Sequence, residues 1–235
     1  MNSMKIRRCL WSVFILLAAS LAFASQAGAQ EEPETVTIEP NEGSKLVIVE
    51  QGRRGEVLAA PDVDWNTYSR VQLDRATVEF RKNWARDQRQ RSGITIREAD
   101  EQRIKNDMAD LFDKVFTQEL TTDGIYTMAD EGGAEVMHIT PHIVDLDIVA
   151  PDRVRNYIGS AFTDSQGRMT LELEIRDSVS GSLLATTRHR EEDPYKGYME
   201  WTTSPTNRQA ARLMLERWAS GLQEWFEYAR SKGAD

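Results

Sequence analysis

The chain has 235 residues, 40% of them hydrophobic, a formal net charge of −9 and a single cysteine. Its acidic balance excludes wholesale nucleic-acid binding, because a phosphate backbone demands a basic face. One cysteine excludes an internal disulfide framework, and the length suits one domain with a leader.

Lys5, Arg7 and Arg8 precede an apolar run from about Cys9 to Ala24, which ends in Ala27-Gly28-Ala29. This is the pattern of a secretory signal peptide over residues 1–29, with cleavage expected after Ala29 and a periplasmic destination. The run is shorter than the roughly 20 residues a helix needs to cross a bilayer, and no later run is long enough. Cys9 lies before the apolar run, whereas a lipid-accepting cysteine must follow it, so no lipid anchor is expected. Removal of the leader takes away the only thiol, and with it any thiolate metal site.

Residues 30–60 read as an acidic leader. "QEEPETVTIEPNEG" is rich in Glu and Pro, with little to bury. Two short apolar runs around Gly52-Arg53-Arg54-Gly55 then make a small hairpin possible in pattern.

A single domain is expected over residues 61–231. Asp62 or Asp64 caps one helical turn that sets Trp65 and Tyr68 on one side, as an aromatic plug at the start of the sheet. Val71 and Leu73 alternate on odd numbers, but Ala76, Val78 and Phe80 continue on even ones. Both sets face one core only if an extra residue is absorbed near Asp74-Arg75, as a β-bulge does. The basic stretch "RKNWARDQRQRSG" reads as a loop.

Thr95 and Glu98 have the spacing of a capping box. Ile104, Met108, Leu111, Phe112, Val115, Phe116 and Leu120 then recur at helical steps, and Gly124 ends the helix. Strands are predicted at Ile125–Met128 and Val136–Val149, with Pro141 pointing to an edge or a break. Met169, Leu171, Leu173 and Ile175 alternate with polar residues, and Ser180-Gly181 turns this strand into the next. Ser204-Pro205 opens a last helix whose stripe is Ala211, Leu215, Trp218, Leu222, Trp225 and Ala229. The fold class is therefore α+β: a single mixed β-sheet of about five strands with two long helices packed on one face.

In order, "DVDWNTYSRVQLDRATVEF", "TIREADEQRIKNDMADLF", "APD" at 150–152, "LELEIRDSVSGSLLA" and "RWASGLQEW" resemble the bacterial family called domain of unknown function 3313. The likeness covers about residues 61–230. It implies a Gram-negative envelope protein with no assigned activity, from a family whose members are often labelled lipoproteins. This chain departs from the family in lacking the lipid-accepting cysteine and the usual Gly-Phe-Leu and Asp-Tyr-Ser pattern near the start of the mature chain.

Three constellations carry possible chemistry. His138 and His142 have the helical spacing of zinc ligands, but "VMHITPHIVDL" is β-rich, and four residues of strand separate them by about 13 Å, too far for one ion. Asp145 and Asp147 share a strand face about 6.6 Å apart, a separation that suits an acid and base pair. Arg81, Lys82, Trp84, Arg86 and Arg89 form a basic island that could dock on an envelope protein or polymer, with Trp84 as its anchor. No cofactor motif and no nucleophile signature is present. The reading that follows is an exported, non-enzymatic envelope accessory or binding domain; the alternative is an exported hydrolase using the carboxylate pair.

Overall fold

The computed structural model divides the chain into two units, Met1–Ile38 and Glu39–Asp235. It describes residues 46–93, 95–148, 162–163, 167–192, 200–201 and 204–232, all in the second unit. The expected signal peptide, the Glu/Pro-rich segment and Ala150-Pro151-Asp152 lie outside the described residues.

The predicted hairpin is present as β1 (Val47–Gln51) and β2 (Gly55–Ala59), paired antiparallel. After it, the Asp64 carboxylate accepts the Asn66 N–H at 3.0 Å and caps a single turn of 3₁₀ helix, Trp65–Thr67. Trp65 and Tyr68 are both buried there. Trp65 packs edge-on against Trp225 with centroids 4.9 Å apart, so the aromatic pair closes one end of the core.

β3 (Arg70–Leu73) and β4 (Thr77–Phe80) follow. Both run parallel to β6 (Val136–Ile148), and the pairing passes from Leu73↔Ile139 to Thr77↔His142. Four steps on one chain therefore face three on the other, which is the extra residue that the parity change requires. The interruption also accommodates Pro141, which is an interior residue of β6, not an edge one, and is buried opposite Leu173 of β8 (Gly167–Asp177). Ile139 C=O accepts from Asp74 N–H at 3.0 Å, so the odd-numbered main-chain groups of β6 point toward β3 and β4. The N–H that proline lacks thus falls opposite the break, where no ladder bond is lost.

The stretch expected as a basic loop forms the helix α1 (Trp84–Ser92). It has no apolar stripe to announce it; buried Trp84 and Gln88 hold it down, the Gln88 amide donating to Ile148 C=O at 3.1 Å. Trp84 is 2% exposed, stacks on Phe80 at 3.9 Å, and donates its indole N–H to Ile148 C=O at 2.8 Å. Helix α2 (Glu98–Thr122) buries the expected stripe, but its cap is shifted from the predicted box. Arg97 occupies the cap, and its N–H donates to the Asp100 carboxylate at 3.3 Å. Gly124, at φ 70°, follows the helix in the left-handed region.

The remaining elements are β5 (Thr127–Met128), β7 (Phe162–Thr163), β9 (Leu183–Glu192), β10 (Glu200–Trp201) and α3 (Ser204–Lys232). One mixed sheet of eight strands has the order β1-β2-β9-β8-β6-β3-β5, with β4 also beside β6, while β7 and β10 pair separately. The described residues therefore hold eight strands in the main sheet and three helices, where about five and two were expected. The hairpin adds its two strands by pairing with β9, and the break divides residues 70–80 into two more.

Both long helices lie on one face. α2 packs against β4 and β5, and α3 against β8, β9 and α2. Val71, Phe112, Ile139, Ile143, Ile175 and Phe226 are wholly inaccessible in the shared core. The opposite face of the sheet carries the polar residues of the alternation, and no described helix but α1, at the β4 and β6 end, packs beside it.

Candidate functional site

On this polar face, β6 contains a second bulge. Val144 to Asp147 faces Thr170 to Arg168, and Ile143 to Leu146 faces Val78 to Phe80, so one extra residue is absorbed against both neighbours. Asp145 sits in the left-handed region at φ 53°, a conformation that Asp tolerates better than most residues. The bulge reverses parity, so that Leu146 and Ile148 face the core as Ile139 and Ile143 do before it. The signal was the same as for the first bulge: odd apolar positions followed by even ones.

The two aspartates consequently have different environments. Asp147 is half-buried, and its Oδ2 lies 2.8 Å from Arg81 Nε and 3.0 Å from an Arg168 terminal nitrogen. Arg81 also binds Asp87 of α1 at 2.6 Å, and this hydrogen bond holds the Asp87 carboxyl below the usual carboxylate range. Asp145 is exposed and lines two adjoining concavities of about 190 and 380 Å³.

Six arginines line those concavities: Arg53 and Arg54 of the β1–β2 turn, Arg81, Arg168, Arg188 and Arg190. Two carboxylates, Asp145 and Glu56, share the lining. The basin is assembled by register. Thr170 pairs with Arg190, Glu172 with Arg188 and Glu56 with Arg188, while Arg190 N–H donates to Arg54 C=O at 2.7 Å and ties the turn to β9. Arg188 forms an ion pair with Glu172. Neither Arg53 nor Arg190 has an ion-pair partner among the described residues. Guanidinium groups present forked donors that match carboxylate and phosphate oxygens, so the arrangement suits a multivalent anion.

The structure thus brings together Arg81 of the basic island and Asp147 of the carboxylate pair, which are far apart in sequence. It separates the rest. Trp84 is in the core and presents no surface anchor; Lys82, Arg86 and Arg89 are exposed, and Arg86 lies 3.4 Å from Asp87. His138 and His142 are both on β6, as their β-rich context indicates. His138 Nε2 is 2.8 Å from Asp74 Oδ1, and His142 Nδ1 is 2.7 Å from Thr77 Oγ1. Asp74 also accepts from Thr140 Oγ1 at 2.9 Å, so the loop at the first bulge is tied to β6 from two sides. Among the described residues no cluster of three His, Cys, Asp or Glu side chains is placed to hold a metal ion. Sequence reading missed Arg168, Arg188 and Arg190, which are dispersed along two alternating strands and converge only when these pair.

Comparison with known proteins places the chain in a family. The family described as "Protein of unknown function (DUF3313)" matches residues 44–222, and the chain belongs to it. No curated protein sequence matches the chain. Among solved structures, two of the PelC dodecamer from Paraburkholderia phytofirmans align over 69% of this chain and 95% of theirs, at 10% and 7% identity and TM-scores of 0.35 and 0.36. A PDZ domain protein from Parabacteroides distasonis aligns over 69% of this chain and 34% of its own, at 13% identity and a TM-score of 0.35.

Proposed function

We propose that this member of the DUF3313 family is an exported, non-enzymatic accessory or binding domain of the Gram-negative periplasm, and that its arginine basin holds an anionic envelope polymer. The basic, apolar, small-residue order of residues 1–29 supports export. One observation carries the binding reading: six arginines line the basin, and two of them, Arg53 and Arg190, have no ion-pair partner among the described residues, in a chain whose net charge is −9. Two unpaired guanidinium groups against an acidic background draw anions to that place. The clamp of Arg81 and Arg168 on Asp147 supports binding over hydrolysis, since charge-assisted pairs of this kind fix a surface in shape.

The test is titration with polygalacturonate and with polyphosphate, which carry the two anionic groups on flexible chains. Binding is expected, weakening as salt rises because the basin is exposed. Arg190→Glu together with Arg53→Glu is expected to weaken it about a hundredfold, on the order of 1.4 kcal/mol for each factor of ten. Equal binding by this variant, or none by the wild type, would overturn the basin's role. Recovery of the intact, uncut chain from the cytosol would overturn the location.

A further inference from the structure

The helical layer is narrower than the sheet beneath it. The sheet's path runs through seven strands, which at about 4.8 Å per step span roughly 29 Å. Two helices at roughly 10 Å each cover about 20 Å. α2 lies over the β4–β5 end and α3 over β8 and β9, so among the described residues no helix lies over β2 and β1, a strip about one helix wide beyond α3.

A groove of about 350 Å³ runs between that strip and the flank of α3. Its floor is apolar and buried, built from Val57 of β2, Leu171 and Leu173 of β8 and Ala185 of β9, and one wall is the outward flank of α3. Val57 pairs with Glu50 and Ala59 with Val47, so Val47 and Glu50 share the groove's face of the hairpin. Val47 is 45% exposed, and Tyr228 on the facing wall is 58% exposed.

The α3 wall has a notch. Gly221 stands between Arg217 and Trp225, one helical turn to either side, and all three line the groove. A glycine inside a helix is unfavourable relative to alanine, yet a Cβ built on Gly221 meets nothing within 4 Å. Packing within this chain therefore does not require it. What the missing side chain provides is a gap in the ridge of α3, into which the ridge of another helix fits.

The rim supplies the charge. Glu191, buried on the floor's margin, is neutralised by Arg217 at 3.0 Å and Arg54 at 3.4 Å. Glu50 on β1 and Glu224 on α3 line the groove, with no ion-pair partner among the described residues.

From these features we infer that the groove receives a third helix: an amphipathic helix of a partner protein, whose apolar stripe is flanked by lysine or arginine. The stripe covers Val47 and Tyr228 at the groove's mouth, one small residue or ridge enters at Gly221, and the basic flanks meet Glu50 and Glu224. This site lies on the opposite face of the sheet from the arginine basin; the two share only Arg54, which reaches Glu191 at the groove's margin.

The probe is a synthetic Leu–Lys peptide of roughly 18 residues, about five helical turns with one apolar stripe, compared with its Leu–Glu counterpart. Binding to the full chain is read by tryptophan emission and calorimetry, with one-to-one stoichiometry expected for the Leu–Lys peptide. Gly221→Leu fills the notch, leaves every charge in place, and is expected to stay helical by circular dichroism while weakening binding at least about tenfold. Glu50→Lys with Glu224→Lys is expected to do the same, as is exchange to the Leu–Glu peptide, whereas the Arg190→Glu and Arg53→Glu variant binds the peptide as wild type does. Unchanged affinity in folded Gly221→Leu overturns the site, as does failure of either peptide to bind. Sedimentation separates the other occupant: a wild-type dimer that Gly221→Leu dissociates would make the groove a contact between two copies, and the partner-helix proposal would fall.

Discussion

Val71, Ile139 and Ile143 in the middle of the sheet are closed to solvent, whereas Val47, Ile48 and Val49 on the β1 edge are 45%, 57% and 46% exposed. The residues are of one kind and all lie in strands. What differs is the layer above them: helices cover the first group, whereas no described helix lies over Val47, and Ile48 points to the other side of the sheet. Apolar character therefore sets which residues a covering layer stabilises, while the width of that layer sets which are buried.

The largest expected effect tests the covered side. Phe112, stacked on Phe116 at 3.9 Å between α2 and the sheet, is expected to cost about 3–5 kcal/mol on substitution by alanine, measured by urea denaturation. Val47→Thr on the edge is expected to stay within about 0.5 kcal/mol. Comparable losses at both positions would break the contrast and show β1 to be covered in solution.

A smaller effect sharpens it at the plug. Burial first, and then the 3.0 Å hydrogen bond to Asp177, push the Tyr68 hydroxyl up to about 12. The folded state keeps that proton where the unfolded chain releases it near its usual 10.0, so stability present below pH 10 is lost as pH rises toward 12. Tyr68→Phe is expected to remove part of this alkaline loss; Tyr126, also raised by burial, retains the remainder. An alkaline limb unchanged in Tyr68→Phe would place Tyr68 in water.

The smallest effect has the opposite sign. Gly221→Ala, on the uncovered side, is expected to stabilise the chain by about 0.5–1 kcal/mol, since helix propensity improves and the new methyl meets no atom. Destabilisation by this change would mean that the space before Gly221 is filled in the free protein.

Much of this was legible in sequence because it is local. The stripe of α2, the alternation of β8, the turn at Gly181 and the Asp64 cap each depend on neighbours a few residues apart. The first bulge was legible because Val71 and Val78 differ in parity; the second carried the same signal in Ile143 and Leu146 and was overlooked, which is why Asp145 and Asp147 were expected to be alike. Helix α1 was not legible, since it rests on one large apolar anchor, Trp84, and on polar bonds from Asp87 and Gln88, and such a set has no hydrophobic period. The basin was hidden for a related reason: Arg168 and Arg190 are ordinary outward positions until pairing sets them beside Asp145.

By itself the sequence determined an α+β chain, its two long helices, its aromatic plug, and which face of each strand is apolar, because hydrophobic periodicity is written along the chain. Only the tertiary structure decided the number of strands, the interior place of Pro141, the pairing of Arg81 with Asp147, and the strip left bare beyond α3. Those depend on which strands lie side by side and on how far two helices reach across them. Such distances between separate elements are fixed by packing, and no single segment carries them.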